Sequence, residues 1–170
     1  FAFHASESGQ FLVARAEVVN SAGALLYVQD WLGESYCAAE NNSTGVPSVT
    51  TAEGVGLVSA NSLLLVTNDA PAGSFGYYIS SLTPGNTLGA GGSSGRICVS
   101  GSVGRHIDGV APVEPDGTFR YQPDLSSMPT SPNVAVMAGD TWHFQLWHRD
   151  AAPMGMATSN FSLPVRVTFH

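Results

Sequence analysis

The sequence predicts an all-β fold, an antiparallel β-sandwich or jelly roll of about ten short strands in one domain spanning residues 1–170. Three observations carry this. Apolar residues recur at alternate positions, as in a strand with one buried face, and the 3.6-residue period of an amphipathic helix is nearly absent. Turn-forming residues, with 19 Gly and 10 Pro among them, interrupt the apolar runs at short spacing. At 170 residues and 44% apolar, the chain is long enough for one core that hides roughly 70% of the surface of the unfolded polypeptide.

Residues 1–10 carry Phe1 and Phe3 on an otherwise small, polar segment. Such an end either caps the protein's own core or adds as a strand to the sheet edge of a second copy, main-chain bonds giving affinity and pockets giving register. Runs at 11–19 and 24–31, separated by 20–23, predict a hairpin. Further strands are expected at 55–59, 62–67, 75–80, 96–100 and 103–107, with 82–95 a loop by its Gly, Ser and Pro content. In the pair Tyr77 and Tyr78 one ring faces the core and the other faces out. Pro115, Asp116 and Gly117 make a turn into a strand at 118–122. Residues 123–133 form a loop, and Ala138, Gly139 and Asp140 join a strand at 134–137 to the next.

That next strand, 141–150, alternates without interruption. Trp142, Phe144, Leu146 and His148 share one face, and His143, Gln145, Trp147 and Arg149 share the other. The C-terminal run 161–169 does the same, with Phe161, Leu163, Val165, Val167 and Phe169 on its apolar side. Pro164 has no N–H for a ladder, so this strand is expected at a sheet edge or with a bulge.

Six Arg, no Lys and 13 acidic residues give a net charge of -7. Nucleic-acid binding rests on cationic contacts to phosphates, and no basic run exists here. Anionic membrane surfaces are disfavoured for the same reason, and the longest unbroken apolar runs, such as 24–28 and 63–66, are far too short to span a bilayer. The chain begins with Phe1 and shows no basic-plus-apolar leader, which predicts a processed, exported protein. Cys37 and Cys98, without other Cys or His at ligand spacing, read as one disulfide closing about 60 residues, worth on the order of 4 kcal/mol in the chain-entropy model. The alternative is a pair of buried free thiols in a cytosolic protein.

Gly91, Gly92, Ser93, Ser94 and Gly95 fit the G-x-S-x-G form of a nucleophile elbow, but no helical pattern follows, and Gly/Ser composition alone produces the match. The histidines, His4, His106, His143, His148 and His170, show no zinc-site spacing, and His143 and His148 fall on opposite faces of their strand. Asp108, Glu114, Asp116, Asp124, Asp140 and Asp150 lie near loops, where calcium ligands occur, yet no calcium-loop motif is present and turn formation accounts for Asp there. No catalytic set, metal or cofactor is predicted. Asn41, Asn42 and Asn160 begin N-x-[ST] sequons and equally suit turns. Trp147, with His143, Gln145 and Arg149 on the same strand face, forms a stripe of aromatic and hydrogen-bonding groups of the kind on which a sugar ring stacks. The alternative is that this face packs beneath a loop with Arg149 lying over the indole.

From about residue 36 the chain resembles a domain found towards the C-terminus of large secreted proteins of environmental bacteria. The matching pieces are Tyr36-Cys37, Asn42-Ser43-Thr44-Gly45, Phe75-Gly76-Tyr77-Tyr78, Ile97-Cys98-Val99 leading to Gly104-Arg105, the block from Gly139 to Asp150, and Thr158-Ser159-Asn160-Phe161. At His143 and His148 the family pattern has an Asn-like and a Tyr-like residue instead. The resemblance implies an extracellular all-β module framed by its paired Cys, and no activity.

Two functions are therefore expected. One is a non-catalytic extracellular structural subunit that assembles with itself, as a filament or surface layer, through terminal strand exchange at Phe1 and Phe3. The other is a carbohydrate-binding module that uses Trp147 and its polar neighbours on an extracellular glycan.

Overall fold

The computed structural model describes residues 15–19, 25–152 and 155–170. The described chain is all-β. Its thirteen strands are β1 (Arg15–Val19), β2 (Leu25–Leu32), β3 (Val49–Glu53), β4 (Leu64–Asn68), β5 (Phe75–Ser81), β6 (Thr83–Leu88), β7 (Arg96–Ser100), β8 (Gly104–Arg105), β9 (Ala111–Pro112), β10 (Phe119–Tyr121), β11 (Thr141–Ala151), β12 (Ala157–Phe161) and β13 (Val165–Thr168). Helical structure among the described residues consists of 3-10 turns at Val58–Ala60, Ala90–Gly92 and Ile107–Gly109 and the 3-10 residue Gly155, and no helix is long and apolar enough to cross a membrane.

Two antiparallel sheets form the sandwich. The first runs β1-β2-β3-β4-β10; the second runs β12-β11-β5-β8, with β13 also on β11 and β9 also on β5. Their facing sides enclose the main core. Ala52, Leu65 and Phe119 come from the first sheet, and Tyr78, Trp142, Phe144, Leu146, Val165 and Val167 from the second. Burying each large apolar side chain contributes roughly 1.5–3 kcal/mol, so this interior dominates the favourable side of folding. The β6-β7 hairpin is a third, smaller layer on the outer face of the second sheet, where Ile79, Val99 and Phe161 are buried with Ile97, Val103, Tyr77 and Trp147 against them. A Cys37–Cys98 disulfide with Cα atoms 6.3 Å apart ties this hairpin to the segment after β2.

Strand 141–150 forms as expected, one residue longer. Trp142, Phe144, Leu146 and His148 are all fully buried on its inner face. The expected C-terminal strand is instead two halves of one edge, β12 and β13, both paired with β11 and split at 162–164. The cause is local. Pro164 has no N–H, and at Leu163 the backbone leaves β11 to bond Ser48 O at 2.7 Å and to accept from Thr50 N at 3.0 Å. Ser162 fills the ladder there, its Oγ accepting from Leu146 N at 2.9 Å. Glu34 and Arg166 exchange backbone bonds of 3.1 and 2.9 Å, joining the two sheets at a second point. Gly33 makes that approach possible: its φ is 77°, and a Cβ there would strike the Arg166 carbonyl.

Other expectations shift. β3 replaces the strand expected at 55–59, where Val58–Ala60 forms a 3-10 turn and Val55 and Leu57 lie exposed. The inward residues of β3 are Thr50 and Ala52, a small polar-and-apolar pair with no alternating hydrophobic signal. The loop expected at 82–95 contains β6, which pairs with β7 through an irregular register between Pro84 and Thr87. Residues 134–137 make one isolated bridge, Met128 with Val134, instead of a strand. β1 and β2 pair antiparallel as expected of the first hairpin, while its turn at 20–23 and the Phe1 and Phe3 segment lie outside the described residues.

Candidate functional site

The outer face of β11 is divided by the β6-β7 hairpin. At one end it is covered. Gln145 is fully buried, its Oε1 accepting from Cys98 N at 2.8 Å and its Nε2 donating to Arg96 O at 2.9 Å and Ser162 O at 2.7 Å. His143 is buried beside it, its ring 4.8 Å from that of Tyr36 and its Nδ1 3.3 Å from Ser81 O. Tyr36 in turn donates to Cys98 O at 2.7 Å. Of the four residues grouped on this face in the sequence, Gln145 therefore fastens the hairpin, His143 packs against Tyr36 and Ser81, and both are buried. Burial, and secondarily the charge of Arg166, holds the His143 imidazole below its ordinary pKa despite the bond to Ser81.

At the other end the face is open. A groove of about 370 Å³ is walled by Tyr77, Ile79 and Trp147 on the sheet, Ile97 and Val103 on the hairpin side, and Arg105, Arg149 and Ser159 at its rim. Register explains the grouping. Trp147 lies opposite Tyr77 on one side and Phe161 on the other, and Ile79 lies opposite Arg105, so these side chains share one face by alternation. The Tyr77 and Trp147 rings stand 5.0 Å apart at 37°, and the Arg149 guanidinium sits 5.5 Å from the indole centroid. Tyr78 points inward and is buried, as the alternation requires.

The loop 92–95 rests on β12 at the edge of this groove. Ser93 Oγ donates to Ser159 O at 2.7 Å and accepts from Gly95 N at 3.1 Å, so the G-x-S-x-G serine is a loop tie, bonded to no imidazole among the described residues. Gly95 is required by closeness: a Cβ would strike the Asn160 carboxamide and the Phe161 backbone.

Two serine–histidine contacts exist elsewhere, and sequence spacing did not reveal them. Ser48 Oγ lies 3.0 Å from His148 Nε2, and Ser80 Oγ lies 3.0 Å from His106 Nε2. Both pairs are sealed: Ser48 and His148 are 1% and 0% exposed, Ser80 and His106 0% and 2%. His148 Nδ1 lies 3.0 Å from Arg149 O, so it carries the proton, and Nε2 accepts the Ser48 hydroxyl proton. Burial holds His148 below its ordinary pKa, opposed by that carbonyl and by Asp150, and pushes His106 down to about 4, opposed by Asp108. These are neutral core imidazoles.

The acidic residues near loops serve as hydrogen-bond acceptors or ion-pair partners, Asp108 accepting from the Tyr121 hydroxyl at 2.9 Å and Glu114 pairing with Arg120. Asp116 accepts from Thr118 N, Asp124 from Ser126 N, and Asp140 from Met137 N. Burial raises Asp150, but bonds from Ser43 N, Ala151 N and Asn160 Nδ2 more than offset it and hold the carboxyl below its usual range. Asn42 and Asn160 are buried in hydrogen bonds of the same region. No three of His, Cys, Asp and Glu converge as a metal site among the described residues. The chain matches no protein-family model, no curated protein and no solved structure.

Proposed function

We propose that this chain is a non-catalytic extracellular binding module whose groove at Trp147 takes a glycan. One observation carries the reading: Tyr77 and Trp147 form a paired aromatic wall in an open groove that also presents Arg105, Arg149 and Ser159. A sugar offers C–H faces to aromatic rings and hydroxyls to polar groups, and the groove volume lies in the range of small-ligand sites. The disulfide supports an oxidising compartment, as does the likeness to secreted modules. The sealed Ser48–His148 and Ser80–His106 pairs support the absence of catalysis, because neither hydroxyl reaches solvent. On a glycan array the protein is expected to bind with micromolar to millimolar affinity and to lose binding on Trp147→Ala, with circular dichroism confirming the fold. Silence across the array overturns the reading.

A second reading, self-assembly, is supported by exposed apolar residues on β5 and on the segment between β8 and β9, at one side of the second sheet. Phe75, Ile107 and Val110 are 56%, 69% and 49% exposed there, a surface suited to an added strand from another copy carrying Phe1 and Phe3. Electron microscopy distinguishes it: polymer is expected for the intact chain and monomer after deletion of residues 1–10. A monomeric intact chain removes it.

A further inference from the structure

We infer that the groove selects an acidic saccharide, one bearing carboxylate or sulfate groups, and that Arg105 and Arg149 make the selection. This rests on the glycan-binding reading above.

With 13 acidic residues against six Arg, a carboxylate partner is easy to find on this surface. Three arginines have one: Arg96 pairs with Glu40 at 3.1 Å, Arg120 with Glu114 at 2.9 Å, and Arg166 with Glu34 at 2.6 Å. Arg105 and Arg149 have no ion pair among the described residues, and both line the same groove, where none of the described lining residues is Asp or Glu. A local cationic rim in a protein of net charge -7 is what an anion-selective site requires. The remaining field repels polyanions, so non-specific attraction does not mimic the effect.

Placement adds a size. Arg149 lies two residues beyond Trp147 on β11, and Arg105 lies opposite Ile79, itself paired with Gln145. The two levels are four residues apart, about 14 Å at the rise of an antiparallel strand, with the Tyr77–Trp147 pair between them. That spacing addresses acidic groups on an oligosaccharide better than one isolated anion. Each guanidinium offers a planar fork matched to carboxylate or sulfate, and contact with the Trp147 ring pre-orders that of Arg149.

Calorimetric titration of the intact chain tests this with four probes: an oligogalacturonate, a chondroitin sulfate oligosaccharide, a neutral xylo-oligosaccharide and polyglutamate. The expected result is binding of one or both acidic oligosaccharides at least about ten-fold tighter than the neutral one, with each of Arg105→Gln and Arg149→Gln losing about ten-fold for the acidic probe and much less for the neutral one. Which acidic probe binds identifies carboxylate or sulfate as the group read. Both arginines are exposed, so these variants leave the fold intact, and circular dichroism checks it. Equal affinity for the neutral oligosaccharide, unchanged in the arginine variants, overturns the inference and leaves the glycan reading standing. Polyglutamate bound as tightly as the sugars overturns it too, reducing the rim to a bare charge patch. No binding to any oligosaccharide removes both.

Discussion

The Gln145 side chain accepts a hydrogen bond from the backbone N–H of Cys98 at 2.8 Å, so the disulfide-bearing strand is clipped to the middle of the second sheet by a buried carboxamide. The same carboxamide donates to Arg96 O and Ser162 O. It thus holds the hairpin that walls the groove and the interruption that splits the edge strand.

Gln145→Leu keeps the volume but leaves one backbone N–H and two carbonyls without their partner. Each orphaned buried group costs about 1–3 kcal/mol, so a loss of about 3–5 kcal/mol is expected after partial relaxation. Urea unfolding measures it; a loss under about 1 kcal/mol contradicts the clip.

Replacing both Cys37 and Cys98 by Ala is expected to cost about 4 kcal/mol, from the freedom returned to the unfolded chain over a sequence separation of 61 residues. Because Cys98 sits on β7, the double variant also loosens the hairpin wall and weakens glycan binding. Denaturant midpoints and a binding titration read the two effects. Unchanged affinity with reduced stability detaches the disulfide from the site.

A chain of buried hydroxyls crosses the sandwich. Tyr78 OH, Thr67 Oγ1, Thr50 Oγ1 and Ser162 Oγ are linked by successive contacts of 2.7 Å. Burial drives the Tyr78 phenol up, its bonds with the threonines opposing, so it stays protonated through neutral and alkaline pH. Thr50→Val removes the central member and is expected to cost about 1–3 kcal/mol, although valine is the better strand former. Calorimetric melting decides, and a neutral or raised melting temperature contradicts the network.

Acid destabilises this fold through its core histidines. His106 has an ordinary pKa of 6.5, held down to about 4 in the folded state chiefly by burial. Between those values the unfolded chain binds the proton and the folded chain does not, so stability falls as pH drops from 6.5 towards 4, by about 3 kcal/mol for this group. His148 acts in the same direction. Urea midpoints measured from pH 7.5 to 4 follow the loss, and His106→Gln flattens the slope. Stability that holds or rises as pH falls through this window contradicts the assignment.

What could be read from the sequence divides along physical lines. The Trp142–His148 face was legible because every inward residue is large and buried, and Pro164 announced its break because it cannot donate to a ladder. β3 was not, since its inward Thr50 is buried for its hydroxyl bonds and hides the apolar period. Nor was β12, whose Asn160 is fully buried but satisfied by Asn41 O and Asp150. At the site, Trp147, Arg149 and the outward Tyr77 follow from alternation alone. Arg105 joins them through a pairing with Ile79 that no local signal encodes, and Gln145 and His143 are withdrawn by a hairpin whose first strand reads as loop composition.

The most direct test of the account is an ¹H–¹⁵N correlation spectrum of the intact protein titrated with an oligosaccharide that it binds. Shifts are expected to concentrate on the Trp147 indole N–H and the amides of Tyr77, Arg105, Arg149 and Ser159, while the buried Trp142 indole stays still. Shifts that map instead to the first sheet, or that leave Trp147 unmoved at saturation, contradict it.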